Sequence, residues 1–235
     1  MRASALAVLA AALLVPLGAR ASDPPTPSSS GKRYQLEIGP SFGFIKHVAA
    51  NGNDPIDYRS TFSTTGLLVR ATPAAWLKLS FRFHRSYHDV DVGPGSLGTH
   101  ASSLSVAPMK VDALYGFVHP TWNPLDRLHV WGTFGISWGR IDMPAVQLEA
   151  ADGPVIRARS GVFLEAPIGA GISFDVIPSW LTLSYDVMYG PAFSQSGDLF
   201  STDIYVNRSG TSATAQGMPE LSGSYYHLFA LALAL

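Results

Sequence analysis

The feature that most limits how this chain can fold is a regular alternation of apolar with small or polar residues. In the segment 34–46, the even positions from Tyr34 to Phe44 are apolar or aromatic, whereas the odd positions from Gln35 to Gly43 are small or polar. Side chains alternate between the two faces of a β-strand, so a period of two indicates a strand with one apolar face. The eight segments with this pattern are 34–46, 61–71, 76–87, 109–119, 128–140, 160–176, 181–190 and 223–235.

The connections between these segments alternate in length. Short turns are predicted near 72–75, 121–127 and 177–180, and long loops near 47–60, 88–108, 142–159 and 191–222. The chain ends and the short turns therefore fall on one side of the sheet, and the long loops fall on the other. Barrels of the bacterial outer membrane show this asymmetry, with the short turns in the periplasm. The predicted fold is all-β, an eight-stranded antiparallel up-and-down transmembrane β-barrel.

Composition helps to decide which face of the barrel points outward. A lipocalin-like secreted barrel also has eight strands, but its apolar face surrounds an internal ligand. Here the polar face consists mainly of Gly, Ser, Thr and Ala, which suit a cramped interior better than a water-covered surface. Only 14% of the residues are charged, and large aromatic residues gather near strand ends, as in the girdles of membrane barrels. These observations favour an apolar face that lies in lipid.

The strand count, the loop asymmetry and two similar turns give the chain a resemblance to a known group. The turns have the forms Pro-x-x-Trp-Leu, at Pro73–Leu77, and Pro-x-Trp-Leu, at Pro178–Leu181. The chain resembles small eight-stranded outer-membrane proteins such as the OmpA transmembrane domain, OmpX and OmpW, over residues 34–235. The resemblance implies residence in the outer membrane and insertion by the barrel-assembly machinery. Those proteins usually end in an aromatic residue, whereas this chain ends in Leu235.

The N-terminal residues have the organisation of an export signal. Arg2 precedes an apolar run from Ala3 to Leu17, and the small residues Ala19 and Ala21 form an A-x-A site. We therefore predict a signal peptide at 1–21, a flexible Pro- and Ser-rich leader at 22–33, and the barrel domain at 34–235. The chain has no Cys, which excludes disulfides, Cys-based metal sites and a lipoprotein anchor.

Charged residues on the polar faces of the predicted strands form a candidate site in the lumen. The interior of an eight-stranded barrel is only wide enough for side chains to fill, and buried charges there must pair. We expect a nearly balanced network that plugs the barrel, with a gate or a narrow pore lining as the alternative. Arg82 is expected to reach Asp112 on the neighbouring strand, with Glu37, Glu165 and Asp186 as further possible partners across the lumen. The predicted network comprises Glu37, Arg70, Lys78, Arg82, Lys110, Asp112, Glu165, Asp175 and Asp186.

One segment offers two weaker alternatives. His84 and Ser86 form a His-x-Ser pair that resembles the lipid A deacylase PagL, in which His and Ser activate an acyl transfer. In that family the site faces lipid, whereas the alternation here turns both residues inward. The segment also contains a candidate metal site, for which solvated rim residues are the simpler interpretation: His84, His88, Asp89 and Asp91.

Together these patterns predict a non-enzymatic integral outer-membrane protein, monomeric or weakly associated. Its role is expected to be structural or to be contact between its exposed loops and an unidentified ligand outside the cell. A narrow channel for small or hydrophobic molecules, as in OmpW, is the first alternative, and a lipid A-modifying hydrolase is the second. Outer-membrane lipid is an expected partner. A net charge of −1 gives no reason to expect nucleic acid, and no motif indicates a cofactor.

Overall fold

A computed structural model shows the chain as a closed antiparallel barrel. It describes residues 35–50, 56–60, 64–92, 104–147, 155–206, 212–215 and 217–235. The predicted signal peptide and leader, 1–21 and 22–33, lie outside the described residues. Within the described ranges, no helix has the length and hydrophobicity needed to cross a membrane.

The described chain is built almost entirely from strands, with a single short 3₁₀ helix, η1, at Asp198–Phe200. The strands are β1 (Gln35–Ala49), β2 (Ile56–Ser60), β3 (Thr64–Ala74), β4 (Leu77–Val92), β5 (Leu104–Leu125), β6 (Leu128–Met143), β7 (Val146–Gln147), β8 (Val155–Ile156), β9 (Arg159–Glu165), β10 (Ile168–Ile177), β11 (Leu181–Gly197), β12 (Asp203–Val206), β13 (Ser212–Ala215) and β14 (Leu221–Ala234).

The barrel closes through antiparallel pairing of β1 with β14. The order around the ring is β1, β3, β4, β5, β6, then β9 and β10 in one shared position, then β11 and β14. β9 and β10 are two parts of one barrel strand, because both pair with β6 and with β11. The interruption falls at Ala166 and Pro167, since proline has no N–H to give to the ladder. The eight predicted barrel strands are therefore confirmed.

The Pro167 interruption leaves the sheet hydrogen-bonded on both sides. The backbone N–H of Gly135 donates to the carbonyl of Pro167 at 3.0 Å, and the N–H of Ala166 donates to the carbonyl of Pro191 at 3.1 Å. These bonds keep the barrel closed beside β6 and β11, as a membrane-spanning sheet requires.

The three predicted short turns are present, between β3 and β4, β5 and β6, and β10 and β11. At this end, three tryptophan side chains are exposed: Trp76, Trp122 and Trp180. At the other end, several strands run further than predicted. β4 continues to Val92 and β5 starts at Leu104, so that most of the described part of the predicted loop 88–108 is a paired extension of the barrel.

The outward and inward faces agree with the alternation on seven of the eight barrel strands. Leu79, Phe81, Phe134, Ile168 and Leu183 point outward, and the side chains of Arg82 and Asp186 are fully buried in the lumen.

The prediction is wrong for β5, where the odd positions from Met109 to Phe117 are buried inside. Lys110 and Asp112 therefore point outward. Asp112 pairs in register with Arg85, whose side chain is exposed, and directly paired residues share a face. The error arose because both faces of β5 carry apolar residues, including the exposed Leu114 and Val118.

Candidate functional site: the charged lumen

Most of the predicted network lies inside the barrel. Seven of its nine residues point into the lumen, and they are Glu37, Arg70, Lys78, Arg82, Glu165, Asp175 and Asp186. Asp175 lies near the turn end, where it accepts a hydrogen bond from Thr182 at 3.0 Å and lies 3.3 Å from His129. The other two residues, Lys110 and Asp112, lie on the outer wall and form an ion pair there at 3.2 Å.

The central contact of the lumen joins Arg82 to Asp186. The terminal Nη2 of Arg82, on β4, donates to the carboxylate of Asp186, on β11. These strands are four positions apart in either direction around the eight-strand ring, so the pair crosses the lumen from wall to opposite wall. The prediction that Arg82 pairs with Asp112 is wrong, because Asp112 is on the outside. Of the three alternative partners across the lumen, Arg82 pairs with Asp186.

A second cation strengthens this centre. Arg70, on β3, donates to Glu37 at 3.0 Å and to the hydroxyl of Ser184 at 3.2 Å. Its guanidinium lies 4.9 Å from the centre of the Trp131 ring, and the Lys78 ammonium lies 5.2 Å from the same ring. Both distances allow cation–π attraction. The ring of Trp131, on β6, is therefore shared by two cations.

Trp131 also contacts Asp186 directly, because its indole Nε1–H donates a hydrogen bond to the Asp186 carboxylate at 2.7 Å. Asp186 thus accepts from Arg82 with one carboxylate oxygen and from Trp131 with the other. Side chains from five barrel strands meet here, which closes the middle of the lumen.

Nearer the long loops, Glu165 is surrounded by hydroxyl groups. It accepts hydrogen bonds from Ser137 at 3.2 Å, from Ser224 and from Tyr226. No cation of the described chain lies within ion-pair distance of this buried carboxylate. Three hydroxyl donors therefore replace the charged partner that the sequence predicted for Glu165.

Two histidines that the sequence placed in loops extend this hydroxyl cluster. His47 shares a hydrogen bond with Ser224 at 2.6 Å, and its ring centre lies 4.7 Å from that of His88. His88 in turn shares a hydrogen bond with Ser86 at 2.8 Å. The alternation through Gly43 and Ile45 continues to His47 and is the signal that could have placed it inside.

The His-x-Ser pair of the sequence does not come together. Ser86 bonds to His88, whereas the ring of His84 packs edge-on against Tyr115 at 5.7 Å. Both His84 and Ser86 are buried inside the barrel.

The candidate metal site finds no support from the residues that are described. Among them, no group of three or more His, Asp or Glu is placed to hold a metal ion. The side chains of Asp89 and Asp91 are outside the part that the structure describes.

Comparison with solved structures gives matches among outer-membrane proteins. A major outer membrane protein from Thermus thermophilus is 12% identical, with a TM-score of 0.56, and the match covers 86% of this chain and 100% of that one. Ail, the attachment invasion locus protein of Yersinia pestis, is 10% identical, with a TM-score of 0.46 and coverages of 86% and 95%. OprG from Pseudomonas aeruginosa is 9% identical, with a TM-score of 0.45 and the same coverages.

These comparisons bear on the fold alone, because the identities are low. Neither a protein-family model nor a curated protein matches the sequence. The fold predicted from the alternation, that of the small eight-stranded outer-membrane barrels, is confirmed.

Proposed function

We propose that this transmembrane β-barrel resides in the bacterial outer membrane as a plugged, non-enzymatic monomer that holds its long loops against a ligand outside the cell. The observation that carries the proposal is the Arg82–Asp186 pair, which joins opposite walls of the lumen. The match to an outer-membrane protein of the same fold supports the location.

The side chains that fill the centre of the lumen argue against steady conduction. Arg82, Asp186, Arg70 and Glu37 are all buried, and Trp131 lies among them. An eight-stranded barrel leaves room for little beyond side chains, so a network that joins opposite walls is expected to obstruct a continuous water path. Breaking a buried pair by removing one partner is strongly unfavourable, which keeps such a plug closed.

The rim on the long-loop side supports the contact role. β4 and β5 remain paired up to Val92 and Leu104, beyond the 9–11 residues that a strand needs to cross a membrane. β12 and β13 pair with each other within the predicted long loop 191–222. Rigid strands that carry loops beyond the membrane suit a surface that contacts something outside the cell.

A narrow channel is the second candidate, and one observation favours it. Nε and Nη1 of Arg82 and both ring nitrogens of His84 are buried without a hydrogen-bond partner in the described part of the chain. Unpaired buried polar atoms are often satisfied by water, and water inside the lumen is what conduction needs. The lipid A-modifying hydrolase gains no such support, because His84 and Ser86 lie away from lipid.

A recording in a planar lipid bilayer tests the plug. We expect the wild-type protein to give no steady conductance steps, and the double variant Arg82→Ala/Asp186→Ala to conduct, because it removes the pair that crosses the lumen. The double variant shows that the assay detects an opened barrel. Insertion is checked in the same lipid by the heat-dependent shift of the folded protein on SDS gels. Reproducible conductance steps from the wild type contradict the plug and support the channel.

A further inference from the structure

On the described parts of the barrel strands, the outward-pointing cations lie at one end. Among the barrel strands' described side chains, the outward-pointing cations are Lys46, Arg85, Lys110 and Arg140. All four lie toward the long loops, whereas the turn end carries the exposed residues Trp76, Trp122 and Trp180. The exposed Arg127 at that end belongs to the turn between β5 and β6 and not to a strand. Since long loops are extracellular in outer-membrane barrels, the four strand cations are on the side of the outer leaflet.

Three of these cations belong to a continuous chain of ion pairs, which we call the charge ladder: Arg85, Asp112, Lys110, Asp142 and Arg140. Arg85 binds both oxygens of Asp112, at 2.6 and 3.1 Å. Lys110 lies 3.2 Å from Asp112 and 3.7 Å from Asp142, and Arg140 donates to Asp142 at 2.8 Å. The ladder crosses β4, β5 and β6, alternates in sign, and has an arginine at each end.

The ladder begins directly above the apolar wall. Phe83, Leu114 and Trp138 are paired in register and form the apolar row directly below the ladder on these three strands. The next outward-facing row is Arg85, Asp112 and Arg140. A molecule that covers this part of the wall must therefore present an apolar portion to one row and an anionic portion to the next.

In the charge ladder, the two arginine side chains are more exposed than the two acidic side chains. The side chains of Arg85 and Arg140 are 45% and 54% exposed, whereas those of Asp112 and Asp142 are 22% and 32% exposed. Nη1 of Arg85 and both terminal nitrogens of Arg140 have no hydrogen-bond partner among the described residues. Guanidinium N–H groups of this kind bind phosphate oxygens through paired, charge-assisted hydrogen bonds.

We propose that the charge ladder binds the phosphate of an outer-leaflet lipid headgroup, while the acyl chains of the same lipid cover Phe83, Leu114 and Trp138. Arg85 and Arg140 are two strands apart, so their backbones are separated by about 10 Å, a span over which a large phosphorylated headgroup can reach both. Lys110 lies between them and adds an ammonium group as the third cationic donor. This site is separate from the lumen and from the loops.

Lipid retention in nanodiscs tests the proposal. The full-length protein is placed in phosphatidylcholine nanodiscs that contain either lipid A or lipid A stripped of its phosphates, and the retained lipid is measured by native mass spectrometry. We expect the wild type to retain the phosphorylated lipid roughly tenfold better, the difference given by one charge-assisted hydrogen bond. The double variant Arg85→Gln/Arg140→Gln should lose this preference. Equal retention of both lipids by the wild type would overturn the proposal.

Two further variants and one competitor make the result specific. Lys46→Gln, an outward cation on β1 outside the ladder, should keep the wild-type preference. Asp142→Asn should fold and retain the phosphorylated lipid at least as well as wild type, because it removes a competing anion. If the charge ladder served only to stabilise the fold, none of these variants would change the lipid preference. Displacement of the lipid by millimolar inorganic phosphate would show a site for free anion and refute the lipid as its occupant.

Discussion

Trp131 reaches Asp186 across the bare backbone of Gly171. The three residues lie in one row, since Gly171 pairs in register with Trp131 on β6 and with Asp186 on β11. A Cβ at Gly171 would collide with Nε1 of Trp131 and with a carboxylate oxygen of Asp186. The absent side chain is therefore the space in which the 2.7 Å hydrogen bond of the plug forms.

Replacing this glycine should damage the plug. Gly171→Ala is expected to lower the free energy of unfolding by about 1–3 kcal/mol, because the added methyl group overpacks a filled interior. Urea unfolding in phospholipid vesicles, followed by tryptophan fluorescence, measures the change. Gly116→Ala is the matched control, because a Cβ there meets nothing within 4 Å. An equal effect of the two substitutions would show that Gly171 is not a packing position.

The pair that crosses the lumen should show strong coupling. Arg82→Met or Asp186→Leu alone should lower the free energy of unfolding by about 3–5 kcal/mol, because each leaves a buried charge without its partner. The double variant should lose much less than the sum of the two. Additive losses, measured by the same urea titrations, would mean that the two side chains do not interact.

The hydroxyl cluster around Glu165 can be tested by comparing substitutions at two neighbouring tyrosines, one inside the barrel and one outside. Tyr226→Phe removes a buried donor to Glu165 and should cost about 1–3 kcal/mol of stability. Tyr225→Phe is the control, because the side chain of Tyr225 points outward and is exposed. The temperature at which the folded band disappears on SDS gels ranks the variants. If Tyr225→Phe is the more damaging change, the inner and outer faces of β14 are reversed.

The outer wall can be probed along one strand. Phe81→Arg places a cation within the apolar band and should cost about 2–4 kcal/mol. Tyr87→Arg lies six residues further along the same face of β4, beyond the row of Arg85, and should cost about 0–1 kcal/mol. Unfolding titrations in vesicles compare the two. Similar costs at both positions would place the boundary of the membrane elsewhere.

Alternation was sufficient to predict the barrel, because each apolar strand face must meet lipid and each polar face must fill a narrow lumen. It failed on β5, where Leu114 and Val118 face outward and Tyr115 and Phe117 face inward. When both faces are apolar, the parity of a strand is set by its register with its neighbours, which a sequence alone does not give.

The partners inside the lumen were only partly predictable for a similar reason. The sequence placed Arg82 and Asp186 on inward faces and made Asp186 one of three possible partners across the lumen, but it favoured Asp112 on the neighbouring strand. Which side chains meet across a barrel depends on the stagger of strands that are far apart in the sequence. Glu165 shows the same limit, because hydroxyl groups from β6 and β14 take the place of a cation.

The paired length of β4 and β5 carries these two strands well past the charge ladder. From Arg85 to Val92, β4 runs about 24 Å along its axis, which at a typical tilt near 40° raises Val92 roughly 18 Å above the charge ladder. In the proposed orientation, an antibody or a phage tail fibre would therefore meet this part of β4 and β5 before it met the lipid beside the ladder. Shortening β4 and β5 in register should remove that early contact while leaving the membrane-spanning part intact.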